Sequence, residues 1–551
     1  MDKLRFVALS GTTSVTENMY LYEYRDEILV VDCGVGFPEE ATFGIDLVIP
    51  DFTYLVENKE KIKGILISHG HEDHLGALPF LFNELQAPIY STQLVAAFIE
   101  DKFLDYGKKI KVNIFNPEKE GFNIGSFRID SFRVAHSVPD GVGFCITTPV
   151  GKIFHVPDYK FDWTPIDQKP FDITKAAVLA SDGVLALASD ALGSTSVGYT
   201  KSEREIEQNI DFVIEKAQKR VYFTTLSSNI SRMYLAIRAS ELVGRKVAFV
   251  GRSTEKKAEI ARKLGHLKWI PGTVITPREA QKLPSDKVTY IISGSYGQTG
   301  SALHRVAMGE HPFLQIETDD YVVFSADPAP PGTEQAVNFV VDNLMEKGAV
   351  VHYYDTQDDL HVSGHGSQKD IEMLFALIKP KYLIPVGGTI RHMRAYRELA
   401  EMMGWKKEQV FELREGESVE FAKDGDPKKG ERIAVKNVLV DGLGVGDVGN
   451  VVLRDRQTLA KEGVVIVILQ TDHQNGKLTA KPDIVSRGFV FAKEQQEFLD
   501  RASAELSRKI SERIKVANPI GVKEVAVDFL ERFFFEETGR RPMVLPVVVE
   551  V

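Results

Sequence analysis

Short apolar runs that each close on a polar or charged residue dominate the first 190 residues, and they read as strands whose polar ends mark turns. Ile28-Leu29-Val30-Val31 stops at Asp32, and Gly64-Ile65-Leu66-Ile67-Ser68 ends at a tight turn. Phe132-Arg133-Val134-Ala135 closes on His136, and Gly151-Lys152-Ile153-Phe154-His155-Val156-Pro157 on Asp158. A helix is expected over Leu75 to Leu85. From about Lys201 the pattern changes. Ser202-Glu203-Arg204-Glu205 has the form of a helix start, and apolar residues recur at helical spacing through Ile214. Strands at Val221 to Thr225 and Val247 to Val250 then alternate with helices, which predicts a second α/β layer. Lys423-Asp424-Gly425-Asp426-Pro427 is polar and turn-rich and reads as a linker. Beyond it, strands around Val435 to Leu439 and Gly463 to Leu469 and a helix through Gln495 to Lys515 predict a small α+β C-terminal domain.

The run that follows the 64–68 strand carries chemistry. His69-Gly70-His71-Glu72-Asp73-His74 holds three of the chain's 13 histidines within six residues. Neutral imidazole and carboxylate suit a borderline ion such as zinc, and the spacing lets His69 and His71 grip one ion while Asp73 and His74 turn to a second. Two-metal hydrolysis is the chemistry such an arrangement serves. His136 would complete the first site, Asp158 would bridge both ions, and Asp32 could orient a ligand from behind.

Composition narrows the class without naming the substrate. The 551 residues suffice for two to four domains, and 43% hydrophobic with 26% charged residues is ordinary for a globular protein. There is no apolar run of roughly 18 residues and no signal-peptide pattern at Met1 to Arg5, so no membrane partner is expected and a cytoplasmic location is the default. Cys33 and Cys145 are too few for a disulfide framework. A net charge of −11 argues against a nucleic-acid partner, yet ten Lys and Arg fall between Arg232 and Lys268 against Glu241, Glu255 and Glu259. Those cations would either line an RNA channel or solvate helix faces.

Asp32, the His69 to His74 run, His136 and Asp158 resemble, in order, the first four motifs of the metallo-β-lactamase superfamily. Asn18-Met19-Tyr20, Gly44 to Asp51, Val250 to Ser253, His361-Val362-Ser363-Gly364-His365 and Lys379 to Val386 extend the resemblance over the whole chain to ribonuclease J, the bacterial β-CASP nucleases. The resemblance implies an α/β fold: a metallo-β-lactamase αββα sandwich in two parts, 1–200 and 356–425, with a β-CASP domain inserted at 201–355 and a C-terminal oligomerisation domain at 430–551. It implies a ribonuclease of RNA maturation and decay with two zinc ions, cutting internally and from a 5′-monophosphate end. It also implies a homodimer, a homotetramer or a hetero-oligomer with a second paralogue.

Residue roles follow from the same resemblance. Asp190 stands at the acidic motif A and His365 at motif B, where the histidine would donate a proton to the leaving oxygen or stabilise the phosphate. Asp73 or Asp158 would orient the nucleophile. His361, Val362, Ser363, Gly364 and His365 would cradle a phosphate, with Ser228 and Asn229 contacting RNA in the same way. Motif C departs from the family: a histidine ligand of the second ion is expected where this chain reads Pro385-Val386-Gly387-Gly388-Thr389. The second ion would then be held weakly, be a harder ion such as manganese, or be absent, unless His392 swings in. The competing reading is a weakly active or non-catalytic RNA-binding subunit; a hydrolase of small esters or lactams is a third.

Overall fold

The computed structural model describes residues 2–38, 42, 44–326, 333–442, 444–472, 477–489, 495–513 and 519–551. Its contacts divide it into two units, Met1–Phe37 with Val48–Val438, and Pro38–Leu47 with Leu439–Val551.

In the first unit two sheets stack face to face. One runs in the order Lys428–Lys429, Ser418–Ala422, Lys3–Ser10, Met19–Tyr24, Glu27–Val31, Ile62–Leu66, Ile89–Ser91 and Asn113–Ile114. The other runs Pro380–Val386, Val184–Asp190, Gly151–Val156, Val142–Thr148, Phe127–Arg133 and Phe122–Ile124. Period-two alternation explains the pairing: Leu4, Phe6 and Ala8 point from the first sheet into a core shared with Phe144, Ile146 and Ile153 of the second. The other face of the second sheet, through Phe154, Leu187 and Leu383, is covered by the helices Ile173–Ala180, Gln368–Ile378 and Ile390–Met402. On the first sheet's side the helix Gln93–Asp105 lies against Ile89–Ser91 and Asn113–Ile114. The result is an αββα sandwich.

The strands Val184–Asp190 and Pro380–Val386 are parallel neighbours, with Asp190 opposite Val386. The chain between them builds a five-stranded parallel sheet, ordered Lys246–Val250, Val288–Ile292, Val221–Thr224, Tyr321–Phe324 and Val350–His352. Its central strands are buried along their length, as crossover helices on both faces require. Val221–Thr224 sits between Val288–Ile292 and Tyr321–Phe324, so the loop after it opens at a topological switch point, where open α/β sheets bind ligands.

Several expected elements change length. Leu75 to Leu85 is two helices, Glu72–Leu75 and Leu78–Glu84, because Pro79 would block a continuous helix but fits the first turn of a new one. Ser202 and Glu205 form a capping box on a 3₁₀ turn, Glu203–Ile206, that leads into the helix Glu207–Lys216. Lys423–Pro427 is a hairpin turn rather than a linker: Lys428 and Lys429 pair back onto Glu420 and Val419.

The second unit contains a three-stranded sheet, Asp483–Arg487, Val464–Thr471 and Met543–Glu550, packed against the helices Gln495–Arg513 and Pro519–Thr538. The expected extension of the first helix to Lys515 falls outside the described residues. The second helix and the Met543–Glu550 strand were not foreseen from the sequence. Among the described residues no helix is long and apolar enough to cross a membrane.

Candidate metal centre

Strand ends deliver the candidate donors to one edge of the sandwich. The loop after Ile62–Leu66 brings His69, His71, Asp73 and His74, the loop after Phe127–Arg133 brings His136, and the loop after Gly151–Val156 brings Asp158. Potential ligand atoms fall into three groups: His69, His71, His136 with Asp158; Asp73, His74 with Asp158; and Asp158, Asp190 with His365. Asp158 belongs to all three. Its Oδ2 lies 3.4 Å from His69 Nε2 and 3.5 Å from His136 Nε2, and its Oδ1 lies 3.4 Å from His74 Nε2. All six residues expected to ligate metal converge here, and so do Asp190 and His365.

The fit to a cation shows in the nitrogens that stay free. His69 Nδ1 is 3.0 Å from Ser68 Oγ, which donates to Asp32 at 2.8 Å. His74 Nδ1 donates to the same carboxylate at 2.7 Å, and His136 Nδ1 donates to Gly364 O at 2.7 Å. His71 Nε2 meets Ser137 Oγ at 3.0 Å. Each imidazole thus spends one nitrogen on an outer partner and turns the other inward, the usual support of a metal ligand. Two of the inward nitrogens, His69 Nε2 and His136 Nε2, are buried without a hydrogen-bond partner among the described residues. A buried polar atom left so is costly unless something absent from the protein meets it. Asp32 itself sits at φ 62°, a backbone position unusual for a side chain and often retained where function needs it.

Electrostatics follow from this crowding. Burial, with neighbouring imidazoles adding to it, pushes His71 far below its ordinary range, and burial does the same to His136. For His74 burial opposes charge, but Asp158, Asp73 and Asp32 outweigh it and raise the imidazole well above 6.5. Burial also opposes charge on His365, yet Asp190 and Asp158 hold it up to about 9. His365 Nδ1 donates to Asp190 Oδ2 at 2.7 Å, while its Nε2 points to Asp158 Oδ2 at 3.8 Å.

The His361–His365 loop is fixed by its carbonyls. Arg232, fully buried, reaches Leu360 O, Val362 O at 2.9 Å and His361 Nδ1 at 3.3 Å. Lys160 Nζ donates to Ser363 O at 3.1 Å, and Thr200 Oγ1 to His365 O at 2.7 Å. Glu203 joins the two cations, 2.6 Å from Arg232 Nε and 3.4 Å from Lys160 Nζ. Ser363 is exposed, and Val362 is buried. Gly364 also makes room for a neighbour: a Cβ there would stand 2.5 Å from the His136 ring. Ser228 and Asn229 occupy the switch-point loop, but both are buried, and Asn229 Oδ1 caps the helix Ile230–Leu242 by accepting from Arg232 N at 3.0 Å. RNA contact through Asn229 Oδ1 would break that cap.

Part of the basic segment is spent inside the fold, while Lys246, Arg252, Arg262, Lys263 and Lys268 stay exposed. Arg232 and Arg245 are buried, Arg238 pairs with Glu207 and Asp211, and Lys256 with Asp105. Lys257 reaches Glu72 Oε1 at 3.1 Å, tying the inserted domain to the metal loop, and Lys102 holds the other oxygen at 2.6 Å. Lys268 instead lines a cavity of about 500 Å³ between the sandwich and the inserted domain, with Arg133, Lys169, Phe115 and Tyr234. A narrower cavity sharing Arg133, Lys169 and Ser231 reaches His136.

Position 387 is open. Gly387 has φ +68°, and a Cβ there would meet only Asp190 Oδ1, at 3.5 Å. His392 belongs to none of the three donor groups, and its Nδ1 meets Thr389 N and Oγ1 at 3.2 and 3.1 Å in the cap of the helix Ile390–Met402. Sequence reasoning placed Asp32 behind the ligands but assigned no role to Ser68, Ser137 or Lys160, none of which carries a spacing signal, and it read Arg232 as a surface cation.

An αββα sandwich presenting four imidazoles and a shared carboxylate from strand-end loops defines a metal-dependent hydrolase of the metallo-β-lactamase type. Residues 13–177 match the metallo-beta-lactamase superfamily, and 356–408 match the Zn-dependent metallo-hydrolase RNA specificity domain. Residues 218–344 match the ribonuclease J beta-CASP domain, and 451–551 the ribonuclease J C-terminal domain. The chain is 36% identical to ribonuclease J2 of Bacillus subtilis, over 100% of this chain and 99% of that protein. It is 37% identical to ribonuclease J of Thermus thermophilus, over 100% and 96%. Ribonuclease J 1 of Streptococcus pyogenes is 36% identical, over 98% and 97%. This chain belongs to the ribonuclease J family. A solved protein of unknown function from Enterococcus faecalis, 14% identical, shares the fold with a TM-score of 0.53 over 76% of this chain and all of its own.

Proposed function

We propose that this metal-dependent ribonuclease hydrolyses RNA phosphodiesters at a two-ion centre, with His69, His71, His136 and Asp158 holding one ion and Asp73, His74 and Asp158 the other. The observation that carries this reading is the set of imidazoles whose outer nitrogens are engaged while their inner ones converge on Asp158. Zinc suits the first, histidine-rich group; the carboxylate-rich second group suits zinc or manganese.

Metal bound there supplies activation of water near neutral pH and neutralisation of charge on the scissile phosphate. The protein's own groups do the rest. Asp73 and Asp158 orient the attacking water, and Asp190 holds His365 protonated with its Nε2 facing the centre, placed to give a proton to the leaving oxygen. His361, Val362, Ser363 and Gly364 form the phosphate-facing rim, with the Ser363 hydroxyl exposed there. The cavity lined by Arg133, Lys169 and Lys268, with Phe115 and Tyr234 as stacking surfaces, offers RNA a route to the centre.

We further infer 5′-to-3′ exonucleolytic action from a 5′-monophosphate end together with internal cleavage, a cytoplasmic location, and assembly as a homodimer, homotetramer or mixed oligomer with a related chain. The open position at Gly387 favours a second reading, a weakly active RNA-binding subunit. Metal content by mass spectrometry, paired with cleavage of 5′-labelled RNA with and without added zinc or manganese, separates the two. Two ions per chain and metal-dependent cleavage support the enzyme; RNA bound but uncut with one ion or none supports the subunit.

A further inference from the structure

The second ion's shortage of donors rests on the two-ion reading above, and one more polar side chain stands at its place. Asn18 is 1% exposed, and its side-chain amide lies 3.1 Å from His74 Nε2. The same nitrogen is 3.4 Å from Asp158 Oδ1 and 3.6 Å from Asp73 Oδ2. Donors held about 2.0 to 2.2 Å from a shared ion stand about 3 to 3.6 Å apart, so the Asn18 amide is spaced from His74 as a fellow ligand would be.

An amide can present either of its two terminal atoms, and hydrogen bonding decides which. With nitrogen toward His74, Asn18 donates to Asp73 O at 3.2 Å and its oxygen accepts from Tyr20 OH at 2.7 Å. Tyr20 OH is also 2.8 Å from Gly11 O, so two acceptors compete for its single proton. With oxygen toward His74, that competition ends. Tyr20 donates to Gly11 O, and its oxygen accepts from the Asn18 amide and from Gly387 N, 3.2 Å away. Asp73 O keeps a donor in the Asn18 backbone N, at 3.0 Å, but then faces the amide oxygen across 3.2 Å, two acceptors that only a cation between or beside them reconciles. A cation beside His74 Nε2 repels the amide N–H and attracts the carbonyl, so it selects this second arrangement. Gly387, which lacks the expected imidazole, is thus bonded to the hydroxyl that orients Asn18.

We propose that the side-chain carbonyl of Asn18 is a ligand of the second ion, supplying the protein donor that position 387 does not. Two carboxylates, one imidazole and one amide oxygen make this a harder site than the first, which suits manganese better than the histidine-rich first site does.

The test uses the full chain, stripped with a chelator and reloaded with manganese, comparing wild type with Asn18→Leu and Asn18→Asp. Bound ions are counted by mass spectrometry, and affinities come from titration followed by electron paramagnetic resonance. The expected result is two ions in wild type, one in N18L with the first site unchanged and the second weakened at least about tenfold, and a tightened second site in N18D. Two ions at unchanged affinity in N18L, loss of both ions in N18L, or an unchanged second site in N18D would each overturn the role of Asn18. One ion or none in wild type would overturn the two-ion reading itself.

Discussion

Arg232→Met offers the sharpest test of how the inserted domain fixes the phosphate-facing loop. The guanidinium is fully buried and bonds Glu203, Ser325 Oγ, Leu360 O and Val362 O. Methionine fills much of its volume but leaves Glu203 inside the protein with Lys160 as its remaining cation. Removing one partner of a buried ion pair costs about 3–5 kcal/mol. The carboxyl gives an independent figure. Burial raises its pKa, but Arg232 and Lys160 overcome that and hold it down at about 2, against 4.5 ordinarily. That depression is worth about 3 kcal/mol. Because the folded pKa is the lower one, this stability is full above pH 4.5 and drains away as pH falls toward 2. Urea unfolding at pH 7 should therefore show R232M destabilised by about 3 kcal/mol. Adding Glu203→Gln should restore part of the loss, since the unpaired charge goes with it. RNA should bind with a raised KM as the 361–365 loop loosens. A cost below about 1 kcal/mol, or strictly additive single and double mutants, would refute the argument.

Gly387→His should lower the stability of the metal-stripped chain by about 1 kcal/mol, from the positive φ, while tightening second-site metal binding about 10- to 100-fold; denaturant unfolding reads the first and calorimetric titration the second, and an unchanged affinity would mean that position 387 does not face the ion. His365, held up to about 9, carries its proton at neutral pH and loses it as pH rises through that value, so Asp190→Asn should move the alkaline limb of kcat to lower pH; a limb that stays in place would remove His365 as the acid. Chelation should lower the melting temperature, and metal at about 100 times Kd should return about 2.7 kcal/mol of stability; a melting curve indifferent to chelator would count against any bound ion. Lys257→Met should cost about 1–3 kcal/mol by leaving Glu72 with Lys102 alone, measured by denaturant unfolding, and no loss would show the interdomain tie to be idle.

The metal loop was legible because its donors lie within six residues at the end of an apolar strand, where chain order and spatial order coincide. His136 and Asp158 were legible for the same reason, each closing a strand of the sandwich. What escaped depends on contacts between distant segments. Ser137 meets His71 across two loops, and Asn18 reaches His74 from just before the strand Met19–Tyr24. Charge misled where burial decides: Arg232 and Lys257 looked like surface cations and are ion-paired inside the fold. The Lys423–Pro427 turn looked like a linker because a hairpin and a linker draw on the same turn residues.

Whether the altered motif C signals a decayed site turns on what surrounds the gap. Asp158 and Asp190 are buried beside the half-buried Asp73, and desolvation raises the pKa of Asp73 and Asp190. Such a cluster costs stability unless cations offset it. A chain kept only to bind RNA gains nothing by retaining that cost, nor by retaining the outer partners Ser68, Asp32, Ser137 and Gly364 O that aim each imidazole inward. The imidazole absent at position 387 is also the one donor that a neighbouring amide is placed to replace, and its absence leaves every other ligand and every outer partner in position. The site therefore has the form of a centre adapted to a harder second ion, and the ion count of the Asn18 variants decides between that and decay.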